Sequence, residues 1–288
     1  MKKIFAVIAL FFAFVSTSAV AKNDYSCDKK FIFFPGGPEG GPFGTIVYNG
    51  AVAAAEHTGC DVDYYWSQWN SEIMIKQFKE AVALQPDGIA IYGFPGDEAM
   101  RPIIKEARSM GIVITTMNTP LPDLEAEYKT EGFGYAGADL FDAGYNLGAK
   151  GVEVCGLSAG DKAFVWGLAS MPNRGERTKG AIKALEDLGV EVVYQEIPDN
   201  VNSDASQGTP MYVATYSANP DIKMAITDHG GLTASLPTYM KAAGHGTEEV
   251  CGAGFDLSAP IVDGINSGYI DVVIDQQPFI QGYIPIIQ

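Results

Sequence analysis

GIAIYGFPGDEAMRPIIKEARSMGIVITTMN, residues 88–118, decides the fold. Gly88–Tyr92 is a short apolar run closed by Gly93 and Pro95. Met100, Ile103, Ile104 and Ala107 then recur at three- and four-residue spacing, which marks one face of an amphipathic helix. Asp97 stands where a helix cap is wanted, and Gly111 where the helix ends. Ile112–Thr116 is a second β-branched run. Strand, helix, strand with connections this short is a βαβ unit, whose strands lie parallel and whose crossover is right-handed.

The alternation extends both ways. Lys30–Phe34 and Val62–Trp66 read as strands, and Ile75, Phe78 and Val82 keep helical spacing behind a cap at Asn70 or Ser71. Thr119–Glu131 breaks the rhythm with two prolines, four acids and no period. Gly132–Gly137 is a short strand and Asp139–Val152 a helix. After Gly160 the pattern restarts. Strands are expected at Ala163–Gly167, Val190–Glu196, Met224–Thr227, Val250–Phe255 and Asp271–Asp275. Helices are expected at Gly175–Leu188, Pro210–Ser217, Leu232–Ala243 and Ala259–Asn266. The chain is therefore α/β, with two similar lobes, each built on a parallel sheet. Ligands bind at the carboxyl edges of such sheets. If the lobes face each other there, they share one cleft, and the residues just after each strand are the ones to inspect.

The totals fit this. A chain of 288 residues has room for two lobes, and a formal charge of −16 argues against nucleic acid and anionic membrane surfaces as partners. Lys2 and Lys3, the apolar run Ile4–Val15 and the small-x-small site Ala19-Val20-Ala21 read as a cleaved signal peptide over residues 1–21. Its loss takes the charge to −18. No later stretch reaches spanning length, so no membrane insertion is expected. Four cysteines in an exported chain suggest disulfides. Cys27 and Cys60 each precede an apolar run; if those runs are neighbouring parallel strands, both lie at one sheet edge and form a bridge. Cys155 and Cys251 are equally consistent with a bridge and with buried free thiols.

Three motifs compete for function. The glycines at 36, 37, 40, 41 and 44 fit neither a dinucleotide fingerprint, since no two stand two apart, nor a P-loop, since Gly41 precedes Pro42 and Phe43. That loop is either a plain turn or a mount that presents Phe43 to the cleft, where an aromatic face suits the C–H side of a sugar. Gly156-Leu157-Ser158-Ala159-Gly160, followed by Asp228, His229 and His245, matches the order of a serine hydrolase. However, the elbow needs a strand before it and a helix after it, and here a helix precedes and a strand follows. His57, His229 and His245 show no metal spacing. Asn118, Asp228, Asp256 and Gln276 follow strands and, with Arg174 and Arg177, offer donors and acceptors suited to sugar hydroxyls. Any one of them alone is an ordinary turn or cap residue.

In Gly41-Pro42-Phe43, Gly111–Asn118, Ala138–Gly144, Arg174-Gly-Glu-Arg177, Gly254-Phe255-Asp256 and Gln276, the chain resembles periplasmic sugar-binding proteins of ABC transporters, the ribose, galactofuranose and furanosyl-autoinducer receptors among them. The resemblance runs from the first strand to the C-terminus. It implies two Rossmann-like lobes hinged around a ligand cleft. Residues 22–138 and 277–288 would form the N-terminal lobe and 139–276 the C-terminal lobe. Phe43 would stack on the sugar opposite Phe255, with Asn118, Arg177, Asp256 and Gln276 bonding hydroxyls. Asn118 stands where relatives often carry aspartate, and Thr227 where asparagine is common. Asp139 would sit at the first crossover, and Trp66, Phe94, Arg174, Asp228 and His229 would add specificity. Relatives continue past the glutamine strand with a helix and a short strand, so a fragment is expected. The implied protein is a periplasmic, monomeric, non-enzymatic receptor without cofactor or metal. It takes a small neutral carbohydrate, a monosaccharide or polyol, to an ABC permease by hinge closure. A chemotaxis or quorum-signal receptor would share this fold.

Overall fold

Two five-stranded parallel sheets organise residues 27–288, which are the residues described by the computed structural model. The expected signal peptide lies outside them. The first sheet runs β2-β1-β3-β4-β5, with β1 (Lys30–Phe33), β2 (Asp61–Tyr64), β3 (Gly88–Tyr92), β4 (Val113–Met117) and β5 (Gly134–Ala136). The second runs β10-β9-β8-β6-β7, with β6 (Lys162–Gly167), β7 (Glu191–Glu196), β8 (Ile222–Thr227), β9 (Cys251–Phe255) and β10 (Val272–Ile274). Every strand pair is parallel.

The helices are α1 (Pro42–Thr58), α2 (Ser71–Ala83), α3 (Asp97–Ser109), α4 (Pro122–Tyr128), α5 (Leu140–Cys155), α6 (Glu176–Asp187), α7 (Asp199–Ser203), α8 (Thr209–Ala218), α9 (Gly230–Ala242), α10 (Ala259–Asn266) and α11 (Pro278–Ile287). In α3 the periodic residues Met100, Ile103, Ile104 and Ala107 are all buried, and each larger one stabilises the lobe by about 1.5–3 kcal/mol. Asn70 caps α2, its Oδ1 accepting from the Ile73 N–H at 3.0 Å. Asp97 differs from expectation. Gly96 is the cap residue of α3, and the Asp97 carboxylate accepts from the Leu124 N–H (3.0 Å) and from Asn173 Nδ2 of the other lobe (2.9 Å). The aperiodic segment after β4 forms α4, opened by Pro122, where a missing N–H costs nothing.

The second sheet shows the period of two that a sheet covered on both faces requires. Phe164 and Trp166 enter the core on one face, Ala163 and Val165 that on the other. The chain crosses between sheets from β5 to α5 and from β10 to α11. Each helix after a crossover packs on another helix through small residues. An added Cβ at Gly50 or Gly282 would overlap the Phe279 or Val47 carbonyl across the α1–α11 contact. Gly144 and Gly180 stand in the same relation to the Arg177 and Phe141 carbonyls across α5–α6. Cys27 and Cys60 are bonded, Cα atoms 4.6 Å apart, at the amino edge of β1 and β2. Cys155 and Cys251 also pair, with Cα atoms 5.9 Å apart, and tie the end of α5 to the start of β9.

Candidate functional site

The carboxyl ends of the two sheets enclose a cavity of about 410 Å³, within the range of small-molecule sites. Loops after β1, β2, β3 and β4 line one side, and loops after β6, β7, β8, β9 and β10 the other.

The first-lobe wall is aromatic. After β1 the chain turns through Gly36 at φ 92°, a conformation that favours glycine. The Trp69 indole lies against Gly36 and Gly37, in space that a Cβ on either would fill. Ser67 Oγ donates to the Gly36 carbonyl at 2.7 Å, and the Trp69 N–H to the same oxygen at 3.0 Å. Phe43, at the first turn of α1, has its ring 6.0 Å from that of Trp69. Tyr92 and Phe94 meet the indole edge-on at 5.4 and 6.4 Å.

The second-lobe wall is charged. Arg174 and Asp228 form a buried ion pair, and Asp228 Oδ1 also accepts from Thr178 Oγ1 at 2.7 Å. The Arg177 guanidinium lies over the Phe255 ring, 4.2 Å from its centroid, a cation–π geometry. Its Nη1 donates to Gln276 Oε1 at 2.7 Å. Gln276 joins both walls. Its Oε1 also accepts from Asn118 Nδ2 at 3.0 Å, while its Nε2 donates to Asp256 Oδ1 at 2.8 Å. Asn118 (φ 58°) and Asp256 (φ 79°) both hold left-handed backbone at the ends of β4 and β9. Such strain collects at functional sites.

Burial pushes the Asp256 carboxyl up to about 6, only partly offset by Arg177 and Gln276. Burial also lowers Arg177 to about 10, with Arg174 adding to the effect, and lowers His229 to about 3. Burial would raise Asp228 too, but Arg174 and Arg177 hold it below the usual carboxylate range. Among the described residues, Asp256 Oδ2, Arg174 Nη1, Arg177 Nε and His229 Nε2 are buried without a hydrogen-bond partner, and all four residues line the cavity. Each unmet buried group costs on the order of 1–3 kcal/mol. The site is therefore preset to accept both donors and acceptors from something placed in it.

Of the residues singled out from sequence, Phe43, Phe94, Asn118, Arg174, Arg177, His229, Asp256 and Gln276 line the cavity. Five do not. Trp66 lies past the end of β2, packed near Tyr48 with ring centroids 5.7 Å apart. Asp139 is exposed, its carboxylate spent on capping α5 through the Asp142 N–H at 2.9 Å. Thr227 faces inward and bonds Thr233 at 2.9 Å. Phe255 is buried beneath Arg177, and Asp228 beneath Arg174. Sequence reading missed Trp69, Tyr92, Met171 and the segment Asn202–Ser206 after β7. Trp69 stands five residues past the end of β2, in the same strand-end loop as Trp66, so membership of that loop was the available signal. Ser158 is exposed in the turn before β6, its N–H donating to Asp161 Oδ2 at 2.8 Å. That is the opposite sheet edge from Asp228 and His229. Among the described residues no carboxylate, thiol or imidazole cluster could hold a metal, and no helix is long and apolar enough to cross a membrane.

Known proteins resemble this chain in sequence and in fold. A xylose/arabinose-binding protein, XylF of Sulfolobus acidocaldarius, is 21% identical over 238 residues; the match takes in 78% of this chain and 57% of that protein's length. The glucose-galactose binding protein GanP of Geobacillus stearothermophilus has a similar structure, with a TM-score of 0.77, 21% identity, and 90% and 89% of the two chains covered. A solute-binding protein of Burkholderia graminis in complex with D-arabinose is also similar, with a TM-score of 0.78, 21% identity, and 92% and 88% covered. The profile of the periplasmic binding protein domain matches residues 32–287, nearly everything from β1 to α11, and the chain belongs to that family.

Proposed function

We propose that this protein is an extracytoplasmic receptor for a monosaccharide or related polyol, which it binds between its lobes and delivers to an ABC importer. One observation carries the reading. An aromatic wall faces a wall of buried, partly unpartnered donors and acceptors across one cavity. A sugar ring has a C–H face for the first and hydroxyls, each both donor and acceptor, for the second. The relatives named above bind xylose, arabinose, glucose or galactose, which are neutral sugars of this kind. Phe43, Asn118, Arg177, Asp256 and Gln276 are the residues that would hold it, with Arg174 and His229 beside them.

The mechanism that fits is closure about the two crossovers. Ligand contacts made from both lobes favour the closed arrangement, and the closed shape docks as a monomer on the permease. The test is a library of sugars, polyols, amino acids and anions, screened by melting temperature. One or a few neutral carbohydrates should raise it strongly. A screen in which only amino acids or anions do so sinks the proposal.

A further inference from the structure

The cavity is chemically divided. Asn118, Gln276, Arg177 and Asp256 form one hydrogen-bonded cluster. Trp69, with Phe43, Tyr92 and Phe94 around it, forms a separate aromatic group. The hydroxyls near those rings are already used, Tyr92 Oη donating to the Pro35 carbonyl at 3.2 Å and Ser67 Oγ to the Gly36 carbonyl, and the Nε1 edge of the Trp69 indole lies against Gly37. The second lobe adds Leu168 and Met171, and Met171 packs against the cores of both lobes.

The Trp69 indole is also held at some cost. Gln68 and Trp69 are successive non-glycine residues in left-handed backbone, at φ 57° and 55°. Such conformations persist where the surroundings over-determine them. Here the Gln68 and Trp69 N–H groups donate to the carbonyls of Gly37 and Gly36 at 3.3 and 3.0 Å, and the glycines give the ring its slot. Packing alone explains a buried tryptophan such as Trp166. It does not explain a half-buried ring held in strained backbone at a cavity wall.

We infer that Trp69 is a specificity-determining residue, the wall of an apolar subsite that takes the deoxygenated end of a sugar and disfavours a hydroxyl there. The inference rests on the carbohydrate reading above. A hydroxyl moved from water to that end meets ring faces and apolar side chains and loses its hydrogen bonds. A pocket of this kind distinguishes ligands by about tenfold to a hundredfold per group.

The test is calorimetric titration of matched pairs: D-galactose with D-fucose, D-glucose with 6-deoxy-D-glucose, and L-mannose with L-rhamnose. In at least one pair the 6-deoxy sugar should bind about tenfold more tightly than its parent. In Trp69→Ala the gap should close to about twofold. Trp69→Phe, which keeps a ring in the slot, covers the event that Trp69→Ala does not fold. It should retain part of the preference and lose the ligand-dependent change in tryptophan emission, since Trp66 does not line the cavity and Trp166 is fully buried. Equal affinities within every pair that binds, or a gap unchanged in the folded Trp69 variants, overturn the inference while leaving the receptor reading intact. If no carbohydrate in the wider library binds, both fall.

Discussion

Replacing Asp256 with asparagine should make the empty protein more stable and a worse receptor. Its carboxyl is raised from 3.8 to about 6, chiefly by burial. The shift is roughly 2 pH units, and at 1.36 kcal/mol per unit the charged form costs the folded state about 3 kcal/mol. The sign follows from proton counts. Between about pH 4 and 6 the folded protein holds a proton on Asp256 that the unfolded chain has released. This contribution to stability is therefore greatest below pH 4 and is lost as pH rises through 6. The asparagine side chain lacks the charge but keeps an oxygen to accept from Gln276. Urea unfolding of the ligand-free proteins at pH 8 should place Asp256→Asn above wild type by about 2–3 kcal/mol, and the difference should vanish near pH 4. Ligand binding should move the other way. A sugar hydroxyl donating to Oδ2 favours the carboxylate, so wild-type affinity should weaken as pH falls below about 6. A variant no more stable at pH 8 than at pH 4, with affinity unchanged, refutes the idea that Asp256 is a charge stored for the ligand.

Arg174→Ala leaves Asp228 buried with its main counter-charge gone, and should cost about 3–5 kcal/mol of unfolding free energy by denaturant titration. Asn173→Gly keeps the left-handed backbone at φ 54° but removes the amide that bonds Asp97 (2.9 Å) and the Pro120 carbonyl (3.1 Å) in the other lobe. Small-angle scattering should show a more open ligand-free protein, and affinity should fall by about thirtyfold, at about 1 kcal/mol for each of the two lost bonds. Gly282→Ala forces a methyl onto the Val47 carbonyl and should lower stability by about 1–3 kcal/mol. A melting curve matching wild type would show that α1 and α11 can slide apart without penalty.

The alternation of strands and helices was legible because a parallel sheet covered on both faces writes itself as apolar runs between amphipathic stretches. The side of the cleft on which each strand-end residue falls was harder. Thr227 and Phe255 are the last strand residues and point into the sheet core, whereas Asp256, one step on, turns to the cavity on left-handed backbone. That one-residue difference is not visible in a string of letters. Trp69 was missed for the same reason: two consecutive left-handed residues re-aim the chain after β2, and neither Gln nor Trp announces such a conformation. Asp97 looked like a local cap because its partners, Leu124 and Asn173, are remote in sequence. The short helix Asp199–Ser203 and the single turn after it were too brief for a period to show.

The paired glycine contacts of α1 with α11 and α5 with α6 carry a further meaning. In each pair, one helix begins where the chain has just crossed between sheets, and its partner carries a residue of the cavity wall, Phe43 on α1 and Arg177 on α6. Locked backbone to backbone, each pair would turn as one piece, so the closure proposed above would be absorbed in the few residues between β5 and α5 and between β10 and α11. The pivot and most of the wall are thus separate parts. Side chains such as Phe43 or Trp69 can be exchanged without re-cutting the joint, which lets natural variation or a biosensor designer change what the cleft recognises while keeping how it shuts.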